Sequence, residues 1–104
     1  MTNYNLDFTS ILPLSKNNPK QLIVLCHGYG GDGKDISSLA INWQRFLPDA
    51  IFLCPNAPEV CNVNPQGYQW FDLTTEEEEV ILEKSLIAEE KLNTFLDQAL
   101  NNFQ

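Results

Sequence analysis

The sequence predicts an α/β fold in which a mostly parallel sheet is flanked by two helices. Residues 22–26 form an apolar run without alternation, which is typical of a parallel strand buried on both faces. A glycine-rich turn and then a helical pattern follow this run directly. Residues 50–54 form a second unbroken apolar run after that helix. Alternation of strands and helices of this kind indicates a parallel sheet with helices packed on it.

The first half of the chain contains the clearest strand and helix signals. Residues 3–12 alternate partly, so Tyr4, Leu6 and Phe8 are predicted to share one face of a first strand. After the strand at residues 22–26, Asp35 is predicted to cap a helix over residues 36–46. Its apolar stripe has helical spacing and consists of Ile36, Leu39, Ala40, Trp43, Phe46 and Leu47.

The second half is predicted to contain one strand, one long loop and one long helix. Residues 55–70 hold three prolines and one glycine, and an irregular connection of this length often carries function. A capping box is expected to open the final helix, made either by Thr75 with Glu78 or by Thr74 with Glu77. No internal repeat is visible, so residues 1–104 are expected to form a single domain.

Composition excludes several classes of function. Six basic residues against fourteen acidic ones give a net charge of −8, which argues against binding to nucleic acid or to an anionic membrane surface. No apolar run approaches the roughly 20 residues of a membrane span, and no secretory signal is visible. Three widely spaced cysteines and a single histidine predict free thiols in a cytoplasmic protein, with no metal site.

The glycine turn fits three motif templates. Gly28-x-Gly30-x-x-Gly33 fits a dinucleotide fingerprint, but the next strand ends in Cys54-Pro55-Asn56, without the carboxylate that would hold a ribose. The same turn fits a phosphate loop as far as Lys34, but Asp35 stands where a Mg²⁺-binding Ser or Thr belongs. The third template is His27-Gly28-Tyr29-Gly30, a loop whose backbone N–H could face the developing alkoxide of an acyl-transfer reaction.

Four sequence segments, which follow one another along the chain, distinguish among the three templates for the glycine turn. They are residues 25–35 (LCHGYGGDGKD), 46–50 (FLPDA), 54–59 (CPNAPE) and 67–72 (GYQWFD). This series resembles the phospholipase/carboxylesterase family, which includes the acyl-protein thioesterases. The likeness runs from about residue 22 to about residue 103, and the last two blocks have no place in either nucleotide template.

The resemblance implies an α/β-hydrolase fold and hydrolysis of carboxylic esters or acyl thioesters by a Ser-His-Asp triad, with no cofactor. It places the oxyanion loop at His27, Gly28 and Gly30, with the backbone N–H of Tyr29 as the donor. His27 itself would be structural and would fix the loop. Trp70 and Phe71 would line the acyl site.

One part of the family pattern is missing. No Gly-x-Ser-x-Gly pentapeptide occurs in the sequence, and His27 is its only histidine. We therefore expect an incomplete α/β-hydrolase domain, the N-terminal part, which ends before the nucleophile and is inactive alone. Its sheet would end in an unpaired edge, which predicts self-association or pairing with a second polypeptide. An acyl ester or thioester would then be a substrate only after completion by a C-terminal half.

A hypothesis from a different class also follows from the glycine turn. Residues 28–33 could serve a small anion-binding or nucleotide-binding protein, or an interaction protein that uses its open sheet edge. The sequence leaves this alternative open, since glycine-rich turns before helices are general anion sites.

Overall fold

A three-stranded sheet forms the centre of the computed structural model, which describes residues 4–103. The strands are β1 (Phe8–Ile11), β2 (Gln21–Val24) and β3 (Ala50–Pro55), in the spatial order β1-β3-β2. Strand β3 lies between the other two, parallel to β2 and antiparallel to β1. All six residues of β3 are buried, as the unbroken apolar run predicted.

Two helices and a short hairpin complete the described fold. Helix α1 (Gly33–Trp43) connects the parallel strands β2 and β3, which is the crossover that such a pair requires. Strands β4 (Glu59–Val60) and β5 (Tyr68–Gln69) pair antiparallel within the segment predicted to be an irregular loop. Helix α2 (Glu78–Asn102) follows. The chain thus has the α/β architecture that the sequence predicted.

The core has two apolar clusters. On the α2 side, Phe95 and Ala99 are fully buried against Leu6, Ile51 and Leu53. The Phe95 ring centroid lies 5.3 Å from that of Tyr4 and 5.6 Å from that of Phe8. Tyr4, Leu6 and Phe8 therefore do pack on one surface, but strand β1 begins only at Phe8, so Tyr4 and Leu6 lie before the strand that was predicted to contain them. The second cluster contains Ala40 of α1 with Ala50 and Phe52 of β3.

The boundaries of α1 correct the prediction. Asp32, not Asp35, is the N-cap: its carboxylate accepts the Asp35 N–H at 2.7 Å. The helix can begin at Gly33 because only a residue without Cβ fits there, against the Cys54 carbonyl. It ends at Trp43, and the Phe46 N–H then donates to the Trp43 carbonyl in a turn. Phe46, which we expected on the buried stripe, is 73% exposed.

The start of α2 also differs from the prediction. Its N-cap is Glu77, whose side chain makes no capping bond, so both predicted capping boxes are wrong. The Thr75 hydroxyl instead accepts the Glu77 N–H at 3.3 Å. The N–H and the hydroxyl of Thr74 donate hydrogen bonds to the Asp72 carboxylate. Glu78 and Glu79 lie in the first turn, where negative charge favours the helix dipole.

Both helices leave large apolar side chains in contact with solvent. Leu39 and Trp43 belong to the predicted stripe of α1 and are 39% and 43% exposed. The most exposed apolar side chains of α2 are Leu82, Leu86, Ile87 and Leu100. No helix within residues 4–103 is long and apolar enough to cross a membrane.

Candidate functional site

The glycine turn follows β2 at the carboxyl end of the sheet. The Leu25 N–H still bonds the Leu53 carbonyl at 2.9 Å, and the chain then leaves the sheet. The Gly31 N–H donates to the Gly28 carbonyl at 3.1 Å, which closes a β-turn with Tyr29 and Gly30 at its centre. Gly30 has φ = +83°, which the third position of a type II turn requires and which glycine adopts without strain.

The imidazole of His27 is buried and hydrogen-bonded at both nitrogens. Its Nε2 accepts the backbone N–H of Ala57 at 2.9 Å. Because that N–H can only donate, Nε2 carries no proton, and Nδ1–H donates to the Gly28 carbonyl at 2.7 Å. His27 is therefore neutral, and neither nitrogen is free to take up a proton from a substrate. This arrangement fits the structural role that the resemblance implied.

Trp70 packs directly on this histidine. The two rings are stacked, with centroids 5.6 Å apart and an interplanar angle of 28°. The indole Nε1–H donates to the His27 carbonyl at 2.9 Å. The side chain of His27 is thus held by Ala57, which lies 30 positions further along the sequence, and its carbonyl by Trp70, which lies 43 positions further along.

The β4–β5 region fixes the turn from the other side. The Gly30 N–H donates to the Tyr68 carbonyl at 2.9 Å, and the Tyr68 N–H donates to the Gly31 carbonyl at 2.8 Å. The Asn64 amide donates to the Gly30 carbonyl at 2.8 Å. A Cβ on Gly67 would collide with this same carbonyl, so the two segments touch backbone to backbone. The turn is consequently rigid although it is rich in glycine.

Tyr29 lies at the outer corner of the fixed turn. Its backbone N–H forms no hydrogen bond with the part of the chain that the structure describes, while those of Gly30 and Gly31 are both bonded. Its hydroxyl is enclosed, and neither the Cys61 thiol nor the Leu73 backbone, which lie near it, reaches hydrogen-bond geometry. Burial first, and then the neighbouring Cys61 thiol, raise the pKa of the Tyr29 phenol.

Trp70 and Phe71 meet Tyr29 in one small cleft. The cleft has a volume of about 90 Å³ and is completed by Leu73. The structure therefore brings together the predicted donor residue and both predicted lining residues. Asp72, which comes next, accepts the N–H and the hydroxyl of Thr74 at 2.9 and 2.7 Å. These bonds hold the pKa of the Asp72 carboxyl below its usual value, so the group stays charged and braces the loop.

The first turn of α1 has few free donors for an anion. The Gly33 N–H donates to the Asn56 side-chain oxygen at 2.7 Å, and the Asp35 N–H donates to Asp32. The carboxylates of Asp32 and Asp35 add negative charge at the same place. A wider cleft of about 340 Å³ on this side of the turn is lined by both carboxylates and by His27.

Nucleophilic and metal-ligating groups are not gathered around the turn. The hydroxyls of Ser37, Ser38 and Ser85 donate to carbonyls three residues earlier in their helices. All three cysteines are free thiols, with Cys26 exposed and the other two buried. Within residues 4–103, no group of three or more His, Cys, Asp or Glu side chains could hold a metal ion.

Fold, turn and cleft together define a partial α/β-hydrolase domain, and comparison with known proteins agrees. The phospholipase/carboxylesterase family profile matches residues 11–102, so the chain belongs to this family. Among solved structures it is similar to esterase PE8, with a TM-score of 0.86 and 37% sequence identity. The match covers 94% of this chain but 46% of the esterase chain, so the chain spans about half the length of that relative.

Sequence reasoning missed the residues that hold the turn. Asn56 and Asn64 lie in the segment read as an irregular loop, and Leu73 closes the cleft after the Trp-Phe-Asp block. The only signal for the two asparagines was their position among prolines and Gly67, where side-chain amides often bond the main chain. That signal does not tell which carbonyl or N–H the amide reaches.

Proposed function

We propose that this chain provides the oxyanion-binding turn and one wall of the acyl site in a hydrolase of carboxylic esters or acyl thioesters. The observation that carries the proposal is the unpaired N–H of Tyr29, which lies in a turn next to the bonded N–H groups of Gly30 and Gly31. Family membership and similarity to an esterase support the same reaction class. The three free thiols support a cytoplasmic location.

The chemistry requires a donor that is in place before the reaction begins. When a nucleophile attacks an ester or thioester, the carbonyl oxygen becomes an alkoxide. A rigid backbone N–H directed at that oxygen stabilises the transition state, and loss of one such donor costs about 2.7–4 kcal/mol of activation free energy. In this proposal Tyr29 supplies the N–H, while His27, Gly28 and Gly30 form the loop that holds it.

Trp70 and Phe71 would border the acyl group of the substrate. Their side chains form the cleft with Tyr29, so an acyl chain lying there would place its carbonyl carbon near the turn. Apolar walls of this kind suit an acyl chain and exclude water. The volume of about 90 Å³ accommodates part of a ligand, and further residues would have to enclose the remainder.

The chain supplies a place for the charged intermediate but no nucleophile. None of its serines lies in the cleft of Tyr29, Trp70, Phe71 and Leu73, and His27 cannot act as a base because both nitrogens are bonded. We therefore expect the 104-residue chain alone to be inactive. Activity would need further residues that carry the serine and the other triad members.

Hydrolysis of p-nitrophenyl acetate tests this proposal. The isolated chain should release p-nitrophenol no faster than a chain with Tyr29→Pro, which lacks the donor. Saturable turnover by the isolated chain, abolished by a serine-reactive phosphonate, would show that a nucleophile is present and would refute this proposal.

The anion-binding hypothesis makes a different prediction for a thermal melt. Two of the first-turn N–H groups of α1 are already bonded, and two carboxylates stand beside them. Added ATP or inorganic phosphate should therefore leave the melting temperature unchanged. A rise that grows with nucleotide concentration would favour the nucleotide-binding alternative.

A further inference from the structure

A groove of mainly apolar side chains lies at the amino ends of β2 and β3, at the opposite end of the sheet from the glycine turn. Its larger part is a cleft of about 340 Å³ lined by the β1–β2 loop (residues 12–20) and the end of α2. A smaller cleft of about 130 Å³ lies towards the start of β2. Pro19, Ile51 and Phe103 line both clefts, which therefore form one continuous surface around these three residues, the lower groove.

The β1–β2 loop that forms one wall of the lower groove is fixed to the body of the fold. The Ser15 N–H donates to the Pro48 carbonyl at 3.0 Å, and the Ser15 hydroxyl donates to the Asp49 carboxylate at 2.7 Å. The Lys16 N–H closes a turn by donating to the Pro13 carbonyl at 3.0 Å. The wall is therefore formed before any ligand arrives, which lowers the free-energy cost of binding one.

Lys16 has an unusual backbone conformation in this wall. Its φ is +64°, and within residues 4–103 no other residue apart from glycine has a positive φ. Glycine or asparagine adopts this left-handed region with less strain than lysine does. Strained backbone persists where the surrounding structure holds it, and it concentrates at ligand sites. The loop thus presents a lysine to the larger cleft at a position where the backbone favours a smaller residue.

The charges around the lower groove are positive. Within the part of the chain that the structure describes, the Lys16 ammonium forms no ion pair, and no acidic side chain lines either cleft. Lys20 lines the smaller cleft and lies 3.8 Å from the Asp49 carboxylate, which balances part of its charge. In a chain of net charge −8, two of the six basic residues thus border one apolar groove.

The cleft beside the glycine turn gives a direct comparison. It also has a volume of about 340 Å³ and a mainly apolar lining, which includes Ile36 and Leu39, but the carboxylates of Asp32 and Asp35 border it. An alkyl chain fits either cleft, so the sign of the charge at the border decides which amphiphile each one prefers. An anionic amphiphile should choose the lower groove, where Lys16 attracts its head group.

We propose that the lower groove binds a free fatty carboxylate of medium chain length, with its carboxylate beside the Lys16 ammonium and its alkyl chain along Ile51 and Phe103. Small-molecule sites begin at about 300 Å³, so the larger cleft suits a linear chain such as that of decanoate. Leu12 and Leu100 are 67% and 52% exposed, and both lose contact with water when a chain lies in the groove. The ligand is a free molecule, because an anionic bilayer repels a chain of net charge −8. The site does not depend on the chemistry proposed for Tyr29.

Titration with sodium decanoate, below the concentration at which it forms micelles, tests this site. NMR of the methyl-labelled 104-residue chain should show saturable shifts of the signals of Leu12, Ile51 and Leu100. The signal of Leu39, in the cleft bordered by carboxylates, should stay unchanged and is the internal control. Decyltrimethylammonium has the same chain with the opposite charge, and it should bind the lower groove about tenfold more weakly than decanoate or worse.

Two variants of Lys16 separate its charge from its apolar stem. Lys16→Met keeps a stem of similar length without the charge, and it should bind decanoate about two- to fivefold more weakly. Lys16→Arg keeps the charge and should bind about as tightly as the unchanged chain. Lys91→Met is the matched control, because it removes the same charge about 18 Å along α2 from Phe103 and should leave the affinity unchanged. Leu12→Ser, at an exposed position, is a second test if Lys16→Met fails to fold, and it too should weaken binding.

Several results would overturn the proposal. Absence of saturable shifts would show that the groove binds no fatty carboxylate, and equal affinity for decanoate and decyltrimethylammonium would show that Lys16 does not select the ligand. Equal affinity of the Lys16→Met and Lys16→Arg variants would have the same meaning. A dimer in sedimentation velocity whose Leu12 and Leu100 signals ignore decanoate would assign the groove to a second copy of the chain. Shifts caused by phosphatidylglycerol vesicles but not by decanoate would assign it to a membrane surface. None of these readouts uses hydrolysis, so the proposed function stands or falls separately.

Discussion

The imidazole of His27 connects three segments that are distant in the sequence. Its Nδ1–H donates to the Gly28 carbonyl in the turn that follows it, and its Nε2 accepts the N–H of Ala57, which comes after β3. The ring also stacks on Trp70, which comes after β5. A buried titratable side chain with both nitrogens bonded to the main chain is a structural element of the loop. Its removal should therefore be measurable as a loss of stability.

His27→Ala should lower the free energy of unfolding by about 2–4 kcal/mol, because it leaves the buried Ala57 N–H unpaired and removes the ring that stacks on Trp70. Urea denaturation followed by tryptophan fluorescence measures this loss. His27→Gln is the matched control, since its side-chain oxygen can reach the position of Nε2, and it should lose less than half as much. Equal losses for the two variants would mean that the Ala57 bond contributes nothing.

The three thiols differ in exposure, and this predicts their reactivity. Partial burial raises the pKa of the Cys26 thiol although part of its side chain remains exposed. A raised pKa means less thiolate at neutral pH, so Cys26 should be alkylated by iodoacetamide more slowly than a free cysteine peptide. Its rate should continue to rise at pH values where the rate of the peptide has levelled off.

Mass spectrometry of the labelled protein as a function of pH provides the measurement. Cys26→Ser should abolish labelling of the folded chain, because Cys54 and Cys61 are buried. Both should react once urea is added. Alkylation of Cys26 at a lower pH than the free peptide would contradict the assigned environment.

At the scale of elements, the glycine turn and the β4–β5 hairpin form one unit. Neither contains enough regular structure to be stable alone, since each strand of the hairpin has two residues. They are joined by backbone bonds between Gly30, Gly31 and Tyr68 and by the amide of Asn64. The direction of the Tyr29 N–H is therefore a property of this contact.

Gly67→Ala should disturb this unit. The added Cβ would collide with the Gly30 carbonyl, which is backbone and can move only if the turn moves. We expect a destabilisation of about 1–3 kcal/mol and faster hydrogen exchange at Gly30 and Tyr68. Gly28→Ala is the control, because nothing lies within 4 Å of its added Cβ, and it should change stability by about 0.5 kcal/mol or less. Similar effects at both positions would show that the backbone contact is not the cause.

At the scale of the whole molecule, the two ends of the described chain meet on one face of the sheet. Tyr4 and Phe8 surround Phe95 near the end of α2, and this contact holds the long helix on β3. Outside this cluster most of α2 is exposed, and Asn5 adds two hydrogen bonds to it, one to the Gln98 side chain at 2.9 Å and one to the Lys91 carbonyl at 2.8 Å. Loss of Phe95 should thus affect the entire fold.

Phe95→Ala should cost about 3–5 kcal/mol of stability, which is a large part of what a domain of this size possesses. Circular dichroism during thermal unfolding should show a lower or absent cooperative transition. Leu82→Ala, at a position that is 61% exposed, should change stability by about 0.5 kcal/mol or less. A mild effect of Phe95→Ala would mean that α2 is held by contacts outside this cluster.

Strands and helices were easier to predict from the sequence than helix caps and the contacts between distant segments. The buried strand β3, the parallel β2–β3 pair and both helices were predictable, because apolar periodicity is a local signal. Strand β2 was also predicted to be buried on both faces, but it is only half-buried, because it has a single neighbouring strand within the described residues. The caps were wrong at both helices, since several Asp, Thr and Glu residues compete near each start and packing selects one. Asp32 caps α1 because Gly33 can pack closely on Cys54, a contact that the local sequence does not encode.

The order of the four sequence blocks determined the family, the fold and the position of the glycine turn beyond β2. Only the tertiary structure decided that the Tyr29 N–H stays unpaired while those of Gly30 and Gly31 are bonded, that both nitrogens of His27 are bonded, and that β2 has an open side within residues 4–103. The physical reason is the range of the interactions. Strand and helix signals arise from neighbours in the chain. The bonds of His27 with Ala57, of Gly30 with Asn64 and of Trp70 with His27 instead join residues 30 or more positions apart and are selected by packing.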